Sequence, residues 1–153
     1  MNLPEEDDVL RFFILGDYGQ LENYAGIRIV GTMMDKLAKL KRFNHITTVG
    51  DNFYRHGIED ITYRMKPYLI TQQFQRDYLR DLPVYATLGN HDCYSNATNE
   101  LLYSLYNDQW NLPHDYYELV TPLRDDPKMR FVNLMLNSCK LFCPDNKYDK
   151  KAE

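Results

Sequence analysis

Three short stretches of the chain carry the residue types that metal chemistry needs: Gly16-Asp17, Gly50-Asp51-Asn52-Phe53-Tyr54 and Gly89-Asn90-His91-Asp92. Each sets an oxygen donor directly after a glycine, a carboxylate at Asp17 and Asp51 and a carboxamide at Asn90. Tyr54 adds a phenol three residues beyond Asp51, and His91 and Asp92 add an imidazole and a further carboxylate. Two carboxylates and a carboxamide are costly to hold close together unless a cation compensates them. Oxygen donors with a phenol and an imidazole suit a hard or borderline ion such as iron, manganese or zinc. A single Gly-Asp at the end of a strand is usually a turn or a helix cap. Three such blocks in order, each behind an apolar run, argue against turns alone.

Those blocks need elements to hold them. Arg11 to Leu15 is a short apolar run stopped by Gly16, which reads as a strand buried on both faces. Ile46 to Val49, stopped by Gly50, and Val84 to Leu88, stopped by Gly89, repeat the pattern. Between the first two runs, Ile27, Val30, Met33 or Met34, Leu37 and Leu40 recur at helical spacing and predict an amphipathic helix over 23–43. Its end carries Lys36, Lys39, Lys41 and Arg42, favourable at the negative pole of the helix dipole, so this basic run reads as a solvated helix end. Residues 63–80 predict a second helix, with apolar points at Met65, Leu69, Phe74 and Tyr78 and with Pro67 in its first turn. Residues 96–107 predict a short helix with Leu101, Leu102, Leu105 and Tyr106 on one face, and 116–120 and 130–136 predict two further strands. Alternating strands and helices mean a parallel sheet covered by helices, with ligands at the carboxyl ends of its strands. Neighbouring strands lie about 4.8 Å apart, so Asp17, Asp51 and Asn90 would converge there.

The chain of 153 residues suits one domain over 10–143, after an acidic lead-in over 1–9 and before a polar tail over 144–153. Eighteen basic against 22 acidic residues give a net charge of −4, which argues against a nucleic-acid partner. No apolar run reaches the ~18–20 residues of a membrane span, so no membrane partner is expected. Met1 to Val9 has no basic start or apolar stretch of the secretory kind, whereas Asn96-Ala97-Thr98 is a glycosylation sequon, so the localisation stays open. Three cysteines cannot pair completely, and Cys139 and Cys143 are not spaced as a Cys-x-x-Cys clip. The expectation is free thiols, Cys93 included.

The three blocks resemble the first signature blocks of the metallophosphoesterases, and more narrowly those of the purple acid phosphatases of the small tartrate-resistant type. Gln109-Trp110-Asn111-Leu112-Pro113 extends the likeness, which covers most of residues 11–137. Many members of the superfamily carry a His two residues after the first Asp, where this chain has Gly19. Purple acid phosphatases use instead a Tyr three residues after the second Asp, here Tyr54. The resemblance implies an α/β fold of the calcineurin-like type, a layered β-sandwich flanked by helices, of which this chain would hold the N-terminal β-α-β-α-β half. It implies an acid phosphatase acting on phosphate monoesters through a dinuclear centre, Fe(III) plus a divalent Fe, Zn or Mn. Asp17 and Tyr54 would bind the ferric ion, Asp51 would bridge both metals and Asn90 would bind the divalent one. His91 would contact the phosphate and assist proton transfer, and Asp92 would orient His91.

The family's Gly-His and Gly-His-x-His blocks, which supply three more metal-binding histidines, do not occur here. The histidines are His45, His56, His91 and His114. His45 opens a strand and reads as structural, His56 as a residue near the mouth of the site or on the plain surface, and His114 as exposed. The chain therefore reads as a truncated gene product, with a C-terminal half or a completing chain as its partner. Exposed apolar edges are expected where partner strands are absent. A catalytically incomplete module that binds a metal or a phosphorylated partner is the alternative. A phosphodiesterase of the same superfamily is weakened by Gly19 and by the acidic balance.

Overall fold

The computed structural model describes residues 9–123, 128–137 and 139. The tail, Cys143 and all of the lead-in except Val9 lie outside these. Four strands form one parallel sheet in the order β1 (Phe12–Leu15), β2 (His45–Thr48), β3 (Val84–Ala86) and β4 (Trp110–Asn111). The register pairs Phe13 with Ile46, Ile46 with Val84 and Val84 with Trp110. The crossovers carry helices α1 (Tyr24–Leu40), α2 (Met65–Thr71) and α3 (Thr98–Tyr103). The expected β-α-β-α-β order is thus observed, with the short β4 as an addition. After it, β5 (Tyr117–Pro122) and β6 (Arg130–Met135) pair antiparallel as a separate two-stranded sheet.

The core packs against the middle of the large sheet. Ile46, Val84, Ala86 and Trp110 meet Phe53, Ile70, Phe74, Leu79 and Leu112, all buried. β2 is buried along its whole length because it has a strand on each side and cover on both faces. β1 departs from the expectation of burial on both faces. It is the edge strand, and Ile14 is 62% exposed.

Three helical expectations are also corrected. In α1 the buried residues are Ile27, Gly31 and Met34. The stripe of Val30, Met33, Leu37 and Leu40 faces outward, with no covering element among the described residues. The helix is turned because Gly31 allows close approach: a Cβ there would stand 3.0 Å from the Gln73 Cβ. The run 63–80 is helical only at 65–71, with Pro67 in the first turn as expected. It then tightens into a 3-10 turn at Gln72–Phe74, and the amides of Leu79 and Arg80 bond back to the Arg76 carbonyl. In α3 the buried residues are Asn99, Glu100 and Tyr103; of the expected apolar face Leu101 packs against the core, whereas Leu102, and Leu105 and Tyr106 beyond the helix end, are exposed.

The expectation of free thiols is overturned for two of the three cysteines. Cys93 and Cys139 form a disulfide. The β5–β6 hairpin returns the chain to the loop after β3, which joins residues 46 apart in sequence. In the chain-entropy account a loop of that length constrains the unfolded chain by roughly 4 kcal/mol.

His45 is structural, as the sequence suggests. It is buried, stacks on Phe12 at 4.8 Å with near-parallel rings, and leaves its Nε2 without a partner. Burial disfavours the imidazolium, so its pKa lies below the ordinary 6.5. The unfolded chain then binds the proton more readily than the folded one. His45 contributes no pH dependence above about 6.5, and stability is lost as the pH falls through the depressed folded value. His45→Phe keeps the stacking and removes the titration. Urea midpoints are expected to show wild type losing more stability than the variant between pH 7 and pH 5. Parallel curves would contradict this account.

Candidate metal centre

The strands end at one edge, and the loops beyond them stay zipped together. The Val49 amide donates to the Leu15 carbonyl (2.9 Å), Asp17 to Gly50 (3.2 Å) and Thr87 to Thr48 (3.1 Å). Asp17 and Asp51 both adopt the left-handed backbone conformation, each with φ of 54°. Asp is one of the few residues that tolerate it, at a cost of order 1 kcal/mol or more. Gly50, directly before Asp51, has φ of 104°, where only glycine is comfortable.

This backbone turns the two carboxylates toward one hydroxyl. The Tyr54 hydroxyl lies 2.7 Å from Asp17 Oδ1 and 2.8 Å from Asp51 Oδ2. It has one proton and can donate it to only one of them at a time. Burial, then its hydrogen bonds to the two carboxylates, hold the phenol in its neutral form and push its pKa far above the ordinary value. Three anionic or potentially anionic oxygens in contact with a single proton form the kind of donor set that a hard cation satisfies. Among the described residues no three His, Cys, Asp or Glu side chains group to hold a metal. The fit therefore depends on Tyr54 as the third donor.

Asp51 Oδ1 accepts the His91 amide at 3.0 Å, which docks the loop after β3 onto the same carboxylate. Asn90 is exposed, and its amide donates to the Tyr94 hydroxyl at 3.2 Å. No hydrogen bond joins it to the carboxylate pair among those described. His91 Nδ1 lies 2.7 Å from the Arg55 carbonyl oxygen. A carbonyl can only accept, so Nδ1 carries the hydrogen and Nε2 is the ring nitrogen left for other chemistry. The rings of Tyr54 (4.3 Å) and Tyr94 (4.8 Å) fix the imidazole plane.

No hydrogen bond between the Asp92 carboxylate and the His91 ring is among those described. The fully buried Asp92 carboxylate accepts the backbone amides of Asn52 (2.9 Å), Phe53 (3.0 Å) and Gly89 (2.8 Å), and Asn52 Nδ2 at 3.2 Å. It ties the loop after β2 to the loop after β3, because its donors come from both. Beside it lies Glu100, also fully buried. Burial raises both carboxyl pKa values. The upward push is the stronger at Glu100, which receives only Asn52 Nδ2 at 3.4 Å and faces the Asp92 carboxylate.

The structure adds residues that the sequence reading passed over. Asn52 lies inside a recognised block but had no role; its Nδ2 bonds the Thr87 carbonyl at 2.6 Å. Glu100, the Arg55 carbonyl and Tyr94 carried no sequence signal. The His56 ring lies 6.1 Å from that of Tyr94, the residue that engages Asn90, with Nδ1 3.3 Å from Glu59 Oε1, and His114 is exposed beside Tyr116.

Gly19 has a steric reason. A Cβ built on it would fall onto the Asn52 carbonyl and stand 2.7 Å from the Phe53 nitrogen. Gly19→Ala is expected to lower stability by about 1–3 kcal/mol by forcing the two loops apart. Denaturant titration reads this directly. A loss below about 0.5 kcal/mol would mean that the loops yield freely.

A family model described as calcineurin-like phosphoesterase matches residues 10–149. Tartrate-resistant acid phosphatase type 5 of Sus scrofa is 29% identical over 119 residues, and that of Homo sapiens 30% identical over 114. Each match covers 72% of this chain and 34–35% of the relative, so the chain spans about a third of the length of these curated relatives. The solved structure of GAP50, the anchor in the inner membrane complex of Plasmodium, is similar over 82% of this chain and 40% of that one. Its TM-score is 0.58 at 20% identity, which is a likeness of fold. With glycine-led oxygen donors at the ends of three adjacent parallel strands, and with a family match over nearly its whole length, the chain belongs to the calcineurin-like phosphoesterases.

Proposed function

We propose that this chain supplies the N-terminal part of the active centre of a metal-dependent acid phosphatase that hydrolyses phosphate monoesters. The observation that carries the reading is the Tyr54 hydroxyl wedged between the Asp17 and Asp51 carboxylates. Asp17 and Tyr54 would hold Fe(III), Asp51 would bridge, and Asn90 would reach a divalent Fe, Zn or Mn. When bound, such a pair supplies Lewis acidity toward the phosphoryl oxygens and a strong nucleophile at acid to neutral pH. The chain's own residues do the rest. Asp51 is held by the His91 amide and Tyr54, so its carboxylate is oriented before any ligand arrives. His91, anchored through Nδ1, is left with Nε2 to give a proton to the leaving oxygen. The partner of this half would be a segment carrying further histidines, in cis or as a separate chain.

One observation favours the alternative of a binding module without turnover. The Asn90 amide is engaged by Tyr94 rather than by the carboxylates. A phosphodiesterase with a histidine at position 19 is disfavoured, because no side chain fits there.

Two measurements follow from this reading. Loaded with ferric iron and desalted, the chain is expected to retain about one metal or fewer, because the second half of the usual metal pair is missing. A visible phenolate-to-iron absorption is expected, and Tyr54→Phe should remove it although twelve other tyrosines remain of thirteen. Retention of the band in the variant would move the ligand elsewhere.

The second measurement is turnover of a simple aryl phosphate in excess iron and zinc. The chain alone is expected to be far slower than a full-length relative. A segment carrying Gly-His and Gly-His-x-His blocks should restore activity. In the restored enzyme Asp51→Asn should abolish turnover, and His91→Ala should lower it ~10²–10⁴-fold with the metals still bound. Robust turnover by the chain alone that survives Asp51→Asn would sink the assignment.

A further inference from the structure

A cavity of about 860 Å³ opens between the start of α1, the α2 region and the residues that follow α3. No residue of the candidate metal centre lines it. Its volume falls in the ~300–1,000 Å³ range of small-molecule sites. Its walls are polar, and its charge is one-sided: Arg28, Arg76 and Arg80 line it against a single carboxylate, Asp108.

The three arginines are not equally engaged. Arg80 is paired with Asp77 at 2.6 Å. Arg28 and Arg76 have no carboxylate within ion-pair distance among the described residues. Arg76 Nη2 donates to the Arg28 carbonyl at 3.1 Å, and its Nε is buried without any partner. Neither guanidinium has its charge compensated by a carboxylate, and an anionic acceptor in the cavity would supply that compensation. The glycine in the middle of α1 belongs to the same arrangement. A Cβ on Gly31 would stand 3.0 Å from Arg76 Nε, so its absence lets the guanidinium lie against the helix.

The cavity also presents aromatic faces. Tyr24, Tyr68 and Tyr106 line it, and the last two are about half exposed. The Tyr106 ring already carries a planar cation, the Arg64 guanidinium, 4.3 Å from its centre. The floor is held firmly. Gln109 Nε2 donates to the carbonyls of Leu79 and Leu82 (both 2.8 Å), and its Oε1 accepts from Gln75 at 2.7 Å. Forked cations that match phosphate, beside rings that stack on a planar group, define a ligand with both features.

We propose that this cavity binds a small phosphorylated ligand bearing an aromatic or heteroaromatic ring, of the size of a nucleoside monophosphate, with Arg28 and Arg76 on the phosphate. The test is calorimetric titration of the full chain with adenosine 5′-monophosphate, in EDTA so that the candidate metal centre takes no part. One saturable site is expected, with adenosine and inorganic phosphate each at least about tenfold weaker. Arg28→Gln and Arg76→Gln are each expected to weaken binding about tenfold or more, the loss of a charge-assisted hydrogen-bond pair. Asp51→Asn should leave it unchanged. Arg28 is exposed, so its variant folds and decides the matter if the Arg76 variant does not. No saturable binding at millimolar ligand, affinity unchanged in Arg28→Gln, adenosine binding as tightly as the phosphate, or binding lost in Asp51→Asn would each overturn the proposal.

Discussion

The architecture of the site depends on one buried carboxylate. Asp92 collects three backbone amides from two loops, and those loops follow different strands. Hydrogen bonds to a charged acceptor contribute about 1.5–3 kcal/mol each, more than neutral ones. The carboxylate needs them, because a lone buried charge would cost far more than the loops could offset. The dependence runs both ways. The loops need Asp92 to align the ends of β2 and β3, and Asp92 needs the loops to stay charged beside Glu100. Burial and the Asp92 charge both push Glu100 toward its neutral form, whereas the amides that Asp92 collects favour its ionised form.

That anchor explains how strain can persist nearby. Asp17 and Asp51 are held with positive φ, and Gly50 adds a conformation open only to glycine. Such residues persist where their surroundings fix them more firmly than they resist. Here the zipped loop amides, the His91 amide on Asp51 and the Asp92 tie provide the surroundings. The strain has a product, since it turns two carboxylates onto one phenol.

Much of this was legible from residue order. Apolar runs stopped by glycine gave β1, β2 and β3 and put their polar residues on one edge, because a strand end and a tight turn are local events. Distant pairings were not legible. Nothing in the spacing of Cys93 and Cys139 announces a bond, which exists only because the β5–β6 hairpin brings the chain back. The buried face of α1 was misjudged because its outward side is as apolar as its inward side. Periodicity gives no choice between them, and Gly31, which decides the matter by close approach, has no hydrophobicity to count. The role of Asp92 was missed for a related reason. A carboxylate next to a histidine suggests a side-chain pair, but backbone amides leave no trace in a sequence.

Gly19 and Tyr54 are two sides of one steric choice. The Asn52 carbonyl occupies the space a side chain at position 19 would need, and the Tyr54 amide bonds the Gly19 carbonyl at 3.1 Å. Asn52 cannot withdraw, because its amide and its side chain are fixed by Asp92 and by the Thr87 carbonyl. With Asn52 fixed, position 19 has no room for a side chain, and the third oxygen beside Asp17 and Asp51 comes from the loop after β2. Tyr54 supplies it: its backbone is anchored on Gly19 while its hydroxyl spans Asp17 and Asp51. Positions 19 and 54 are therefore coupled through a single buried peptide, and Asp92 holds that peptide in its route.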